Sequence, residues 1–134
     1  MKETVMEDKL KEKLDLSVLY DFYGELLKGH NKQIFEDYIL NDLSLGEIAE
    51  EQAISRQGVY DIIKRCTRQL KNCEDKLFLI KKFESTKMKI NRIRELTEQL
   101  KVSVQTGSYQ EELSKDTAGL DEIIRLTDSI IQDL

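Results

Sequence analysis

Leu43-Ser44-Leu45-Gly46-Glu47-Ile48-Ala49-Glu50-Glu51-Gln52-Ala53-Ile54-Ser55-Arg56-Gln57-Gly58-Val59-Tyr60-Asp61-Ile62-Ile63-Lys64-Arg65 is the stretch that decides the fold of this 134-residue chain. Ser44-Leu45-Gly46-Glu47 has the form of a capping box, in which the serine oxygen accepts from the Glu47 amide and the Glu47 carboxylate accepts from the Ser44 amide. A short helix therefore starts at Leu45 and ends near Gln52. Ser55 caps a second helix that starts at Arg56, without the reciprocal partner, because position 58 is glycine. Ala49 is small where the two helices would cross closely. Ile48, Ile54, Val59 and Ile62 stand at the offsets that lock the angle between them. The turn Gln52-Ala53-Ile54 is about as short as a helix-turn-helix requires, with Ala53 in the place that favours glycine.

Outward from this unit the periodicity stays helical. A first helix over Lys9–Leu27 puts Leu16, Leu19, Tyr20, Tyr23 and Leu27 on one face, widened by Phe22 and Leu26. Lys28-Gly29-His30-Asn31 stops it, with Gly29 suited to the position after a helix end and Asn31 to capping the next helix. That second helix spans Asn31–Leu40 and buries Ile34, Phe35, Tyr38 and Ile39. After Arg56 no strong stop occurs before Gly107, and Glu84-Ser85-Thr86 is the expected bend. Val59, Ile62, Ile63, Cys66, Leu70, Cys73, Leu77 and Ile80 form one stripe before it. Met88, Ile90, Ile93, Leu96, Leu100 and Val104 form another after it. Thr106-Gly107-Ser108 reads as a turn and Ser108-Tyr109-Gln110-Glu111 as a second capping box. The last helix, Tyr109–Leu134, carries Leu113, Leu120, Ile124, Thr127, Ile131 and Leu134. The fold class is all-α: a helix-turn-helix domain over residues 1–83, then a C-terminal helical arm over 84–134, read as an antiparallel hairpin.

Composition agrees. Proline is absent, glycine occurs six times, and charged residues make up 35% of the chain, as long amphipathic helices require. No apolar run approaches the ~20 residues of a membrane span, and the charged N-terminus has no secretory h-region, so the expected location is the cytoplasm. Cys66 and Cys73 lie two helical turns apart, about 10 Å, too far for a mutual disulfide. The net charge of −5 is unevenly spread. Met1–Ile54 holds six Lys and Arg against thirteen Asp and Glu, Ser55–Arg94 twelve against four, and Glu95–Leu134 three against nine. A basic block between two acidic ones is a local site for an anionic partner.

The second helix of the motif displays Ser55, Arg56, Gln57, Tyr60, Asp61, Lys64, Arg65 and Arg68 outside the core stripe. Side chains in the first turns of such a helix reach major-groove base edges, where Gln57 suits adenine and Arg56 guanine. Lys64, Arg65 and Arg68 suit phosphates, and Ser55 with its neighbouring amides suits one more. Asp61 would repel phosphate or accept from a cytosine amine. The bland reading is a solvated face, with Glu47, Glu50 and Glu51 on the supporting helix close to where a backbone would run.

At Leu43–Glu51 and Ile54–Arg65, and again at Leu19-Tyr20-Asp21-Phe22-Tyr23 and Leu26-Leu27, the sequence resembles the YlxM-like proteins. These are small bacterial helix-turn-helix proteins related to region 4 of sigma factors. The resemblance covers roughly Asp15–Phe83. It implies a regulator encoded beside, and acting with, the signal recognition particle and its GTPase. Two departures stand out: Lys28-Gly29-His30-Asn31 replaces a Thr-x-Lys-Gln pattern, and Gly58 stands where the family commonly has alanine.

His30 is the single histidine, and there is no metal-spaced cluster, phosphate loop or nucleophile with a base. The chain is therefore expected to be a non-enzyme without cofactors. Leu70, Cys73, Leu77 and Ile80, with the C-terminal hairpin, are the expected dimer or partner seam, although the same stripe would also serve to cover the first helix. The reading that results is a homodimeric, nucleic-acid-binding regulator, DNA preferred over RNA, with no membrane partner. The alternative is an adaptor that binds the signal recognition particle GTPase or RNA, with the helix-turn-helix as scaffold.

Overall fold

The computed structural model describes residues 2–106 and 113–134, which contain six α-helices and no strand. The chain divides into two compact units, Met1–Ile80 and Lys81–Leu134.

The first unit is built around α4 (Arg56–Leu77), on which α1 (Lys2–Tyr23), α2 (Gly29–Ile39) and α3 (Leu45–Gln52) all pack. Helix α1 starts seven residues before the expected Lys9, because Lys2–Asp8 holds no glycine or proline and the helix simply continues. Only its second half is buried, through Leu16, Leu19 and Tyr23, while Val5, Met6, Leu10 and Leu14 stay exposed. It also ends earlier than Leu27. At Gly24 the backbone tightens into a single 3-10 turn, Gly24–Leu26, where a Cβ would lie 2.6–2.9 Å from the Tyr20 ring. Asn31 is not the cap of α2: Lys28 holds that position with no side-chain bond, and Gly29, at φ +60, begins the helix.

Helix α2 buries Ile34 and Phe35 as expected, with Tyr38 and Ile39 half-buried. Its buried polar residue is Asp37, which accepts from Gln33 Nε2 (3.2 Å) and Asn41 Nδ2 (3.0 Å) and so is satisfied at the helix end. The Tyr20 hydroxyl donates to Glu36; burial first, then that carboxylate, pushes its pKa up to about 12. Leu16, Leu19, Tyr23, Leu27, Ile34, Phe35, Ile48, Ala49, Val59, Ile63, Cys66 and Leu70 make one core.

Helix α4 stops at Leu77 and not at Glu84-Ser85-Thr86. Phe78 takes a left-handed conformation (φ 56, ψ 27), and α5 (Leu79–Thr106) starts at once. No glycine or proline marks this break. The cause is long-range: the buried Tyr23 hydroxyl donates to Glu74 Oε2 (2.5 Å) and accepts from the Leu79 amide (3.2 Å), while Glu74 Oε2 also accepts from the Ile80 amide (3.1 Å). Amides at the start of α5, which have no acceptor within their own helix, are thereby satisfied.

The second unit pairs most of α5 with α6 (Leu113–Asp133). They run antiparallel, joined by Lys89 Nζ donating to Ser129 (2.8 Å) and Asp133 (2.6 Å), and by Arg92 bonding Glu122 through Nε (3.0 Å) and Nη2 (3.3 Å). The expected turn Thr106–Ser108 and the capping box Ser108–Glu111 fall largely outside the described residues. On α5, Leu96 is buried and Ile93 and Leu100 half-buried, but Met88, Ile90 and Val104 face solvent. On α6 the expected stripe is the outward one. Leu120, Ile124, Ile131 and Leu134 are exposed, whereas Ile123, Leu126 and Ile130 are half-buried.

Candidate nucleic-acid interface

The capping box forms as its spacing predicts: Glu47 N–H donates to Ser44 Oγ at 3.2 Å and Ser44 N–H to Glu47 Oε2 at 2.8 Å. Helix α3 closes on Ala53, left-handed at φ 52, whose amide bonds Ala49 and Glu50 carbonyls while the Ile54 amide also reaches Ala49 (3.1 Å). Such a closure ordinarily takes glycine. Ser55 then turns the chain into α4, its Oγ accepting from the Gly58 amide at 2.9 Å. Ile48 and Val59 are wholly buried at the crossing, and Ala49 nearly so. These contacts fix the angle at which α4 presents its outer face.

That face carries two ridges at four-residue spacing. Arg56, Tyr60, Lys64 and Arg68 form one, and Gln57, Asp61 and Arg65 the other. All seven are exposed. None of the four cations takes part in an ion pair among the described residues, where the first unit's pairs are Lys13–Asp42 and Lys32–Glu25. Lys64 Nζ lies 5.0 Å from the Tyr60 ring centroid, and its pKa is raised chiefly by a hydrogen bond to Tyr60. Gln57 Nε2 donates to Asp61 Oδ1 at 3.0 Å, so Asp61 orients Gln57, leaving its carbonyl and one N–H for a base edge. Ser55's hydroxyl oxygen accepts in its cap, and its O–H can still donate to a phosphate alongside the backbone amides there.

The first ridge forms one wall of a groove of about 1090 Å³. Lys9, Glu12 and Lys13 of α1 and Ser44 before α3 line it opposite, with Leu16, Leu45 and Ile63 contributing apolar surface. Lys71 extends the cationic wall. Lys9, Lys13 and Lys71 were absent from the sequence-derived set. Lys71 was legible, one turn past Arg68 on the same helix, but the two α1 lysines required knowing how α1 lies against α4. Arg65 lines an adjoining depression with Gln69 and Lys76, which shares Arg68 and Asn72 with the groove.

The four seam residues part company. Leu70 is completely buried in the first unit's own core, Cys73 and Ile80 pack against that core, and Leu77 is exposed at 50%. Leu70 is therefore unavailable to a second chain. Both cysteines are free thiols; Cys66 is buried, which raises its pKa. Among the described residues no cluster of His, Cys, Asp and Glu is grouped to hold a metal, and no helix is long and apolar enough to cross a membrane.

A helix-turn-helix with this capping and this cationic second helix coincides with a family match. Residues 10–114 match the family described as "Putative helix-turn-helix protein, YlxM / p13 like". The chain belongs to that family. It is 51% identical over 90 residues to UPF0122 protein TTE1463 of Caldanaerobacter subterraneus subsp. tengcongensis, covering 67% of this chain and 74% of the relative. It is 43% identical over 103 residues to UPF0122 protein YlxM of Bacillus subtilis, covering 77% and 86%. Over 114 residues it is 40% identical to UPF0122 protein BH2485 of Halalkalibacterium halodurans, covering 85% and 98%. No solved structure matches the chain. The family match takes in α1 from Leu10 through α5, and almost all of α6 lies beyond it.

Proposed function

We propose that this YlxM-like protein is a DNA-binding regulatory protein that contacts nucleic acid through the outer face of α4. The observation that carries this reading is the set Arg56, Lys64, Arg65 and Arg68, exposed on one capped helix and unpaired among the described residues. Cations held by the protein's own carboxylates would have to exchange one anion for another. Arg56, Arg65 and Arg68 exchange only water and counterions, and Lys64 exchanges a neutral Tyr60 besides, which is the condition for polyanion binding. Gln57, steadied by Asp61, and Arg56 are the base readers; Lys64, Arg65 and Arg68 set register on phosphates.

A second reading is an adaptor for the signal recognition particle GTPase or its RNA that reads no DNA sequence. Glu47, Glu50 and Glu51, exposed on α3 beside the cationic face, favour it. Binding of fluorescent DNA duplex, titrated with salt, separates the two. For a duplex reader the logarithm of affinity falls linearly with that of salt, at a slope of about −0.9 per phosphate contacted. Arg56→Glu with Arg65→Glu abolishes binding, and Lys101→Glu, in the second unit, leaves it unchanged. Affinity indifferent both to salt and to the paired reversal would sink the nucleic-acid reading.

A further inference from the structure

We infer that the α5–α6 hairpin is half of an antiparallel four-helix bundle, completed by the hairpin of a second copy of this chain. The inference stands on the second unit alone and does not rest on the nucleic-acid reading. Among the described residues of that unit, Leu96 is the single buried apolar side chain (5% exposed), and a gap of about 450 Å³ opens between the helices beside Leu96 and Gly119. Two helices that bury so little of their apolar surface against each other lack the core that offsets the entropy of ordering them.

The missing contact has a definite place. Successive residues advance about 100° around a helix. Measured on α6 from the half-buried line Ile123, Leu126 and Ile130, the residues Leu120, Ile124, Thr127 and Ile131, with Leu134 just past the helix end, fall on the adjoining quarter-turn, spaced four, three, four and three as in a coiled-coil seam. They are exposed, at 50, 58, 62 and 97% for the four aliphatic residues. On α5, Ile90, Thr97 and Val104 bear the same relation to the side that bonds α6, and Ile90 and Val104 are 52% and 61% exposed. Both offsets run in the same rotational sense along the chain, and the helices are antiparallel. The two stripes therefore meet on one side of the hairpin, where they make a single broad apolar face.

Charge identifies the occupant as another copy. Lys87 and Arg94 flank the α5 stripe on the side away from α6, and Asp121 and Asp128 flank the α6 stripe on the side away from α5. All four are exposed and join no ion pair among the described residues. Within the hairpin Arg92 stands level with Glu122, and Leu96 with Gly119. On that register Lys87 is level with Asp128 and Arg94 with Asp121. A two-fold axis along the helices sets the second hairpin's α6 beside this α5 at the same heights, so that Lys87 faces the partner's Asp128 and Arg94 the partner's Asp121. Each copy carries both halves of the complement, as an isologous interface requires.

Sedimentation equilibrium of the full chain tests this. The chain is expected to be a dimer at micromolar concentration. Ile124→Asp with Ile131→Asp should give a monomer whose core amides in Leu16–Leu70 keep their hydrogen-exchange protection. Arg94→Asp alone should weaken the dimer about ten-fold by placing like charges opposite each other twice, and adding Asp121→Arg should restore it to within about two-fold. If the apolar double variant unfolds the whole chain, the charge swap alone decides. A wild-type monomer at high concentration, a dimer unmoved by the two aspartates, or a swap that fails to restore association each overturn the inference.

Discussion

Tyr23→Phe isolates one hydroxyl at the joint between α4 and α5. The ring is 2% exposed and its shape is kept, so no cavity forms. Two bonds are lost: donation to Glu74 Oε2 at 2.5 Å and acceptance from the Leu79 amide at 3.2 Å. A hydrogen bond to a charged group contributes about 1.5–3 kcal/mol net, and an orphaned buried amide costs about 1–3 kcal/mol. Leu79 is 43% exposed, which lets water take over its amide, and Glu74 keeps the Ile80 amide at 3.1 Å. The sum therefore belongs near the low end, about 2 kcal/mol, a fall of roughly 10 °C in melting temperature for a unit of this size. Urea unfolding gives the free energy. Hydrogen exchange places it, because the Leu79 amide, which loses its acceptor, should lose protection before the Val59–Leu70 core does. A double-mutant cycle with Glu74→Gln should recover a coupling of about 1 kcal/mol or more. A variant within about 0.5 kcal/mol of wild type, with unchanged exchange at Leu79, would refute the assignment of the break to this contact.

Gly24→Ala should destabilise by about 1–3 kcal/mol, since its Cβ would enter a Tyr20 ring held by Glu36; a neutral effect in urea unfolding would show the ring free to move. Ala53→Gly relieves a left-handed alanine and should stabilise by about 0.5–1 kcal/mol, read as a higher urea midpoint with unchanged slope. Alkaline pH should destabilise the first unit. The folded Tyr20 holds its proton up to about 12 against an ordinary 10.0, so its contribution is complete below pH 10 and declines as pH rises toward 12. Tyr23, whose pKa burial also raises, adds to the same slope. Melting temperatures taken across that window in Tyr20→Phe should decline less steeply than in wild type.

Local chemistry made much of this protein legible. The bounds of α3 and the start of α4 follow from Ser44, Glu47 and Ser55, because each cap is complete within four residues of sequence. The outward ridge on α4 follows for the same reason, once the buried positions are marked. What escaped depends on contacts between distant segments. The stop at Phe78 is enforced from Tyr23, and the end of α1 at Gly24 is tied to the packing of Tyr20. The groove gains Lys9 and Lys13 only through the way α1 lies beside α4. On α6, adjacent apolar pairs such as Ile123-Ile124 and Ile130-Ile131 satisfy two phases of the same repeat. Periodicity alone cannot say which phase meets α5, and the outward phase, carrying more aliphatic residues, was the more visible.

Phe78 is an aromatic residue in a conformation that the chain's own chirality disfavours by about 1–2 kcal/mol. No glycine or proline stands at the turn. A nascent chain reading outward from Arg56 would therefore wind straight past this point as one rod. The elbow appears only when a tyrosine far upstream arrives to receive it. Joints of this kind are set late, by docking, and a segment of residues 56–106 cut from its context is expected to give uninterrupted helical carbon chemical shifts through Phe78.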